Sequence, residues 1–186
     1  MLRVAVELPA SFASAGEFLA DAQAYEAAGA DTIWVGAAGQ EPLVLLAALA
    51  VVTSRARLGA PAPATPPWPA ELHARVVAAL QRLSRDRVVL GVPAEAAAAP
   101  PAEGASLLVC GGEPDEVARM RAGVPDGLEV WARVPAPGGR SEWRELHAAY
   151  AGTGVTGVIV PHAPNLLDIL RNPEEDDRQD LSMAVG

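Results

Sequence analysis

The sequence predicts an α/β fold built on parallel strands, and three features predict it. Short apolar runs recur along the chain, each bounded by glycine, proline or charged residues. Between them lie segments with apolar residues at helical spacing. The two kinds of segment alternate throughout, which requires parallel strands joined by crossover helices.

The clearest unit is 68–93, WPAELHARVVAALQRLSRDRVVLGVP. Leu72, Val76, Leu80 and Leu83 fall on one helical stripe, and Ser84, Arg85 and Asp86 break the pattern. Val88, Val89 and Leu90 then form a continuous apolar run, as in a strand covered on both faces. Gly91 and Pro93 are expected to stop that strand.

The remaining elements follow in order. RVAVEL at 3–8 is the first strand, ended by Pro9. Ser14 and Glu17 have capping-box spacing and open a helix that places Phe18, Ala22 and Tyr25 on one face, with Gly29 as its stop. TIWV at 32–35 is the second strand. Pro42 suits the first position of the next helix, whose stripe is Leu43, Leu46, Ala47 and Ala50. RLGA at 57–60 is a third strand, followed by a proline-rich loop at 61–69. After the 68–93 unit, AEAAAAPPAEGA at 94–105 is low in complexity and reads as a short helix or a loop. SLLVC at 106–110 is the fifth strand, 113–122 a short helix, and 128–134 the sixth strand. Ser141 is expected to cap a helix carrying Trp143, Leu146, His147 and Tyr150. GVIV at 157–160 is the seventh strand, and 165–171 the last helix.

Two closures fit this order, a doubly wound sheet or a (β/α) barrel. Eight units in 186 residues would average about 23 residues, short of the ~30 that a βαβ unit needs. A full barrel typically takes about 250 residues.

Composition narrows the function classes. The net charge of −9, with no lysine at all, argues against a nucleic-acid or anionic-membrane surface. Cys110 is the sole cysteine, so an intramolecular disulfide is impossible and structural zinc is not expected. The apolar stretch before Glu7 and Pro9 is too short for a signal peptide, and a cytoplasmic protein is expected. Glu174, Glu175, Asp176, Asp177 and Asp180 make 173–186 an acidic tail after a single domain over 1–172.

The segments EAAGADTIWVG, EPLVLLAALAVVTSRARLG and PAELHARVVAALQRLSRDRVVLGV, in this order, resemble the N-terminal half of the bacterial luciferase-like monooxygenase family. ASLLVCGG resembles that family's fifth strand, and YAGTGVTGVIVP with LLDILRNPEEDD its last unit. The resemblance implies a TIM-barrel-like (β/α) fold. Here it is shortened to about seven parallel strands, with one β/α unit and the lid insertion near the fifth strand missing. It also implies FMN or F420 as cofactor. Where many F420-dependent relatives carry Asp-His after the second strand, this chain has Ala37-Ala38.

In a barrel, function sits at the C-terminal ends of the strands. Glu7, Glu95 and His162 are the titratable side chains that stand out there. The resemblance places Glu95 one residue from an active-site glutamate of some relatives, which makes it a candidate catalytic residue. His162 is a second candidate, as a hydrogen-bond donor to a ligand, or else a loop histidine. His73 and His147 fall on helices and read as structural. Gly111 and Gly112 offer backbone amides for a cofactor phosphate, although Glu113, Asp115 and Glu116 follow them. Gly138, Gly139, Arg140 and Ser141 place a glycine pair and an arginine before a helix, the stronger anion candidate. Ala60-Pro61 lies where the family has a strained peptide beside the flavin, and a proline makes a cis bond cheap there.

Three functions remain open on these residues. One is a flavin- or F420-dependent oxidoreductase or monooxygenase acting on a small organic substrate. The second is a non-catalytic homologue that binds a flavin-type ligand passively or serves as a partner subunit. The third is an interaction protein with no ligand. A leftover apolar helix face predicts a homodimer, or a heterodimer with a longer homologue.

Overall fold

The computed structural model describes residues 2–63, 68–94 and 105–173. Seven parallel strands close into a barrel in sequence order: β1 (Arg3–Leu8), β2 (Thr32–Val35), β3 (Arg57–Pro61), β4 (Val88–Pro93), β5 (Ala105–Cys110), β6 (Glu129–Arg133) and β7 (Gly157–Pro161). Closure is made by β7 pairing with β1, in the register Val4↔Val158 and Val6↔Val160. Among the described residues six helices cover the outside: α1 (Ala15–Ala27), α2 (Pro42–Val52), α3 (Ala70–Ser84), α4 (Pro114–Ala122), α5 (Arg140–Ala151) and α6 (Leu166–Arg171). The doubly wound alternative is thereby removed. Residues 95–104, between β4 and β5, for which a short helix or a loop is expected, lie outside the described residues.

Local rules set the helix ends. The Ser14 hydroxyl accepts from the Glu17 amide, and Gly29 stops α1 at φ +93°, a backbone state that costs glycine little. Pro42 opens α2 behind a Glu41 cap. At α5 the cap is Gly139 rather than Ser141, which sits inside the first turn. The strand β4 continues through Gly91 to Pro93 instead of stopping. A Cβ at Gly91 would stand 2.7 Å from both Trp34 and Leu107, so glycine is what lets this strand run past the packed interior.

Outward-facing strand residues and the inner helix faces form the main core, which includes Val6, Leu46, Leu58, Val130 and Val160. A second, smaller cluster fills the bore: Ala5, Trp34, Val89, Leu107, Trp131 and Ile159. An eight-stranded barrel has an interior just wide enough for side chains to fill. With seven strands the bore is narrower, and two indoles facing glycines occupy it. Gly59 and Gly91 pack on Trp34, and Gly157 on Trp131. Burying each indole contributes roughly 4–6 kcal/mol before conformational entropy is counted.

Below this layer, Glu129 of β6 receives hydrogen bonds from Arg57 of β3 at 2.8 Å and Arg3 of β1 at 3.4 Å. Neither strand is a hydrogen-bonded neighbour of β6, so both contacts cross the bore at its N-terminal end. Burial acts to raise the Glu129 carboxyl, but the hydrogen bonds from Arg57 and Trp131 and the charges of both arginines outweigh it and hold it low.

The stripe predicted on α3 is only partly used. Leu80 is buried, whereas Leu72 is 38% and Leu83 51% exposed. No helix among the described residues is long and apolar enough to cross a membrane.

Candidate functional site

At the C-terminal ends of the strands the bore opens into a cavity of about 260 Å³. Its walls come from five strands and their ends: Trp34, Pro61, Gly91, Val109, Gly111 and Arg133 among them. Period-two alternation explains the set. On β6 the inward positions are Glu129, Trp131 and Arg133, so one strand supplies the lower ion pair, the packed layer and the mouth.

Arg133 crosses the mouth to the carboxylate of Glu7, the last inward residue of β1. Glu7 is the better covered partner, its side chain 17% exposed against 40% for Arg133. Gly36 makes room for it, since a Cβ there would stand 3.0 Å from Glu7 Oε1. At the inner wall, Trp34 is 1% exposed and its indole N–H has no hydrogen-bond acceptor. Buried donors are nearly always satisfied, so this one marks a place where a polar partner is missing. The cavity is thus a small apolar chamber walled in part by the buried Trp34, with a guanidinium at its entrance.

The sequence-predicted residues distribute unevenly around it. Pro61 and Gly111 line the cavity, and Ala60 turns outward into the main core. The Ala60-Pro61 peptide is trans. Gly112 adopts φ +114° and its carbonyl accepts from the Tyr150 hydroxyl at 2.8 Å. Burial, helped by Glu113 and Cys110, pushes that phenol up, so it stays a neutral donor. His162 is not brought to the chamber. Its Nδ1 lies 3.0 Å from the Tyr25 hydroxyl, on α1. Tyr25 is pushed up to about 12 by burial and by Asp21, so it meets the imidazole as a neutral phenol.

The glycine-arginine loop is also engaged elsewhere. Arg140 is buried, pairs with Asp168 and donates from Nε to the Asn172 carbonyl at 3.0 Å, tying α5 to α6. The Gly138 amide donates to Glu142 at 2.7 Å, and Ser141 lies in the first turn of α5. Glu95 lies outside the described residues. Sequence reasoning missed Trp34 and Arg133. The signal that could have found Arg133 is a lone arginine in an apolar strand, two residues beyond Trp131 and on its face.

A larger cavity of about 580 Å³ lies away from the strand C-termini, lined by Leu2, Arg3, Asp31, Trp143, Arg144 and His147. Position decides between the two, because barrel chemistry sits at the strand C-termini.

The family model for luciferase-like monooxygenases matches residues 2–121, well over half of the chain. The chain belongs to this family. Solved structures agree on the fold of this luciferase-like barrel. An F420-dependent secondary alcohol dehydrogenase in complex with an F420-acetone adduct is similar at a TM-score of 0.73 and 8% identity, over 94% of this chain and 99% of that one. The coenzyme F420-dependent tetrahydromethanopterin reductase from Methanopyrus kandleri gives 0.64 and 10% identity, over 96% and 99%. A thiamine phosphate pyrophosphorylase from Pyrococcus furiosus gives 0.58 and 14% identity, over 100% and 98%. No curated protein sequence matches the chain.

Proposed function

We propose that this family member holds a flavin-type cofactor, FMN or F420, with its ring system in the barrel mouth, and acts as an oxidoreductase on a small organic substrate. One observation carries the reading: Trp34, whose buried indole N–H has no acceptor, lines an apolar chamber entered past Arg133. A ring edge bearing carbonyl oxygens supplies acceptors for both donors. Pro61, Gly91 and Val109 exclude water from the ring faces, and Gly111 leaves space at the rim because a Cβ there meets nothing within 4 Å. Glu7 orients Arg133 and balances its charge. The cofactor, when bound, supplies hydride chemistry, while the protein binds and orients it.

A second reading, passive binding without turnover, is favoured by two observations. Glu7, the only carboxylate the described residues bring to the chamber, is tied to Arg133. The exposed Ala37-Ala38 pair offers no acid or base. Absorbance titration with FMN and with F420, followed by addition of a nicotinamide donor, separates the readings. Bound cofactor that is reduced supports the oxidoreductase, bound cofactor that stays oxidised supports the carrier, and no binding of either removes both.

We also propose that the chain pairs with a second copy through α2 and α3. PLVLLAALAVV, the whole of α2, has no polar side chain, and a helix apolar all round is normally covered. Val44 and Val51 on α2, with Leu72 and Leu83 on α3, are the exposed large hydrophobics among the described residues, at 61%, 72%, 38% and 51%.

A further inference from the structure

We infer that the mouth recognises the ring of its ligand and not a phosphate, so that phosphorylated and unphosphorylated flavins bind alike. The inference rests on the ring-binding reading above and adds the specificity of that site. In a parallel barrel every covering helix starts at the strand C-terminal end, so the helix N-termini surround the mouth. Such ends attract phosphate through their free amides and partial positive charge. Here each one among the described residues already carries a carboxylate of the protein itself: Glu17 on α1, Glu41 capping α2, Glu71 on α3, Glu113 with Glu116 on α4, Glu142 on α5 and Asp168 on α6.

The two glycine pairs are filled in the same way. The Gly138 amide is taken by Glu142 at 2.7 Å. At Gly112 the Glu116 carboxylate lies 2.6 Å from where a Cβ would stand, and it also accepts from the Glu113 amide.

Mobile cationic charge does not compensate. Arg133 and Arg140 are the arginines among the described residues between the strand ends and the first turns that follow, and each is paired, with Glu7 and Asp168. The connecting sequences 64–67 and 95–104 contain no basic residue, and 95–104 contains Glu95 and Glu103. A phosphate therefore meets negative charge around the rim, whereas an uncharged ring meets only the apolar chamber, Trp34 and Arg133.

Riboflavin and FMN differ only by the phosphate monoester and are the probes. Fluorescence titration of the full chain is expected to give dissociation constants within about threefold of each other, with riboflavin the tighter at low salt. Added salt should tighten FMN alone by screening the rim. Inorganic phosphate at millimolar concentration should compete with neither. The double variant Glu116→Gln, Glu142→Gln should strengthen FMN several-fold and leave riboflavin unchanged. FMN binding more than tenfold tighter than riboflavin, or displacement by phosphate, overturns the inference while leaving the ring site standing. Failure of both flavins to bind removes the ring site and the inference together.

Discussion

A Cβ at Gly59 would stand 2.1 Å from Cε3 of Trp34. The two residues sit on neighbouring strands in direct register, Trp34 on β2 and Gly59 on β3. The bore of this barrel is closed by indoles that lie flat on glycine backbone. That arrangement sets both the stability of the closed sheet and the depth of the mouth above it.

Gly59→Ala is expected to destabilise the chain by about 2–3 kcal/mol, because the added methyl would stand 2.1 Å from the indole benzo ring and force the packed layer to shift. Urea melts of Gly59→Ala, Trp34→Phe and the double variant check this. The double variant should be less destabilised than the sum of the singles by about 1 kcal/mol, since the smaller ring leaves room for the methyl. Strict additivity would contradict the direct contact.

Acid stability is tied to Glu26. Its carboxylate accepts from the amides of Ser54, Arg55 and Ala56 at 2.9, 2.7 and 2.8 Å, holding the loop before β3 against α1. Burial acts to raise this carboxyl, but the three amides and the Arg55 charge outweigh it, so the folded value lies below the ordinary 4.5. A depressed acid stabilises the fold above the unfolded value and loses that contribution as pH falls through the folded value. Glu26→Gln should therefore cost about 1 kcal/mol at pH 7, after allowance for its solvent exposure. The gap to wild type should close below pH 4.5. A gap that persists into that range would count against this reading.

Glu129→Leu removes the carboxylate that pairs with Arg57 and leaves Arg3 only Asp31, at 3.7 Å. Breaking a fully buried pair costs about 3–5 kcal/mol, and the partial exposure of Glu129 lowers the expectation to about 2 kcal/mol. Adding Arg57→Met should recover part of the loss. Thermal melts at matched pH read both effects.

How much of this was legible in the sequence follows from what each pattern encodes. The strand positions, the Ser14 cap, the Gly29 stop and Pro42 at the head of α2 are local features, and each is found where its own few residues put it. The bore was not legible, because all four residues of β2 are buried and nothing in TIWV distinguishes the inward Trp34 from the outward Ile33. Nor was the pairing of Glu7 with Arg133, which only closure of the ring brings across the mouth. Gly91 looked like a terminator because a glycine in a strand usually weakens it, whereas here it receives an indole. Arg140 looked like an anion ligand because sequence does not reveal that Asp168 faces it. Leu72 and Leu83 read as core because spacing fixes a helix face without saying what covers that face.

The apolar face of α2 and α3 predicts self-association. Sedimentation velocity at micromolar concentration should give a dimer for the native chain, and Val51→Glu with Leu83→Glu should give a folded monomer. A native chain that sediments as a monomer would remove the proposed interface.

The indole N–H of Trp34 reports directly on whether the mouth is a ligand site. In a proton–nitrogen correlation spectrum, with the Trp34 signal assigned by its loss in Trp34→Phe, riboflavin is added to saturation. The Trp34 signal should move downfield as its N–H gains an acceptor, with the signals of Trp68 and Trp143 unmoved, and Arg133→Met should weaken binding about tenfold. Flavin binding that leaves the Trp34 signal in place would show that the ligand sits elsewhere.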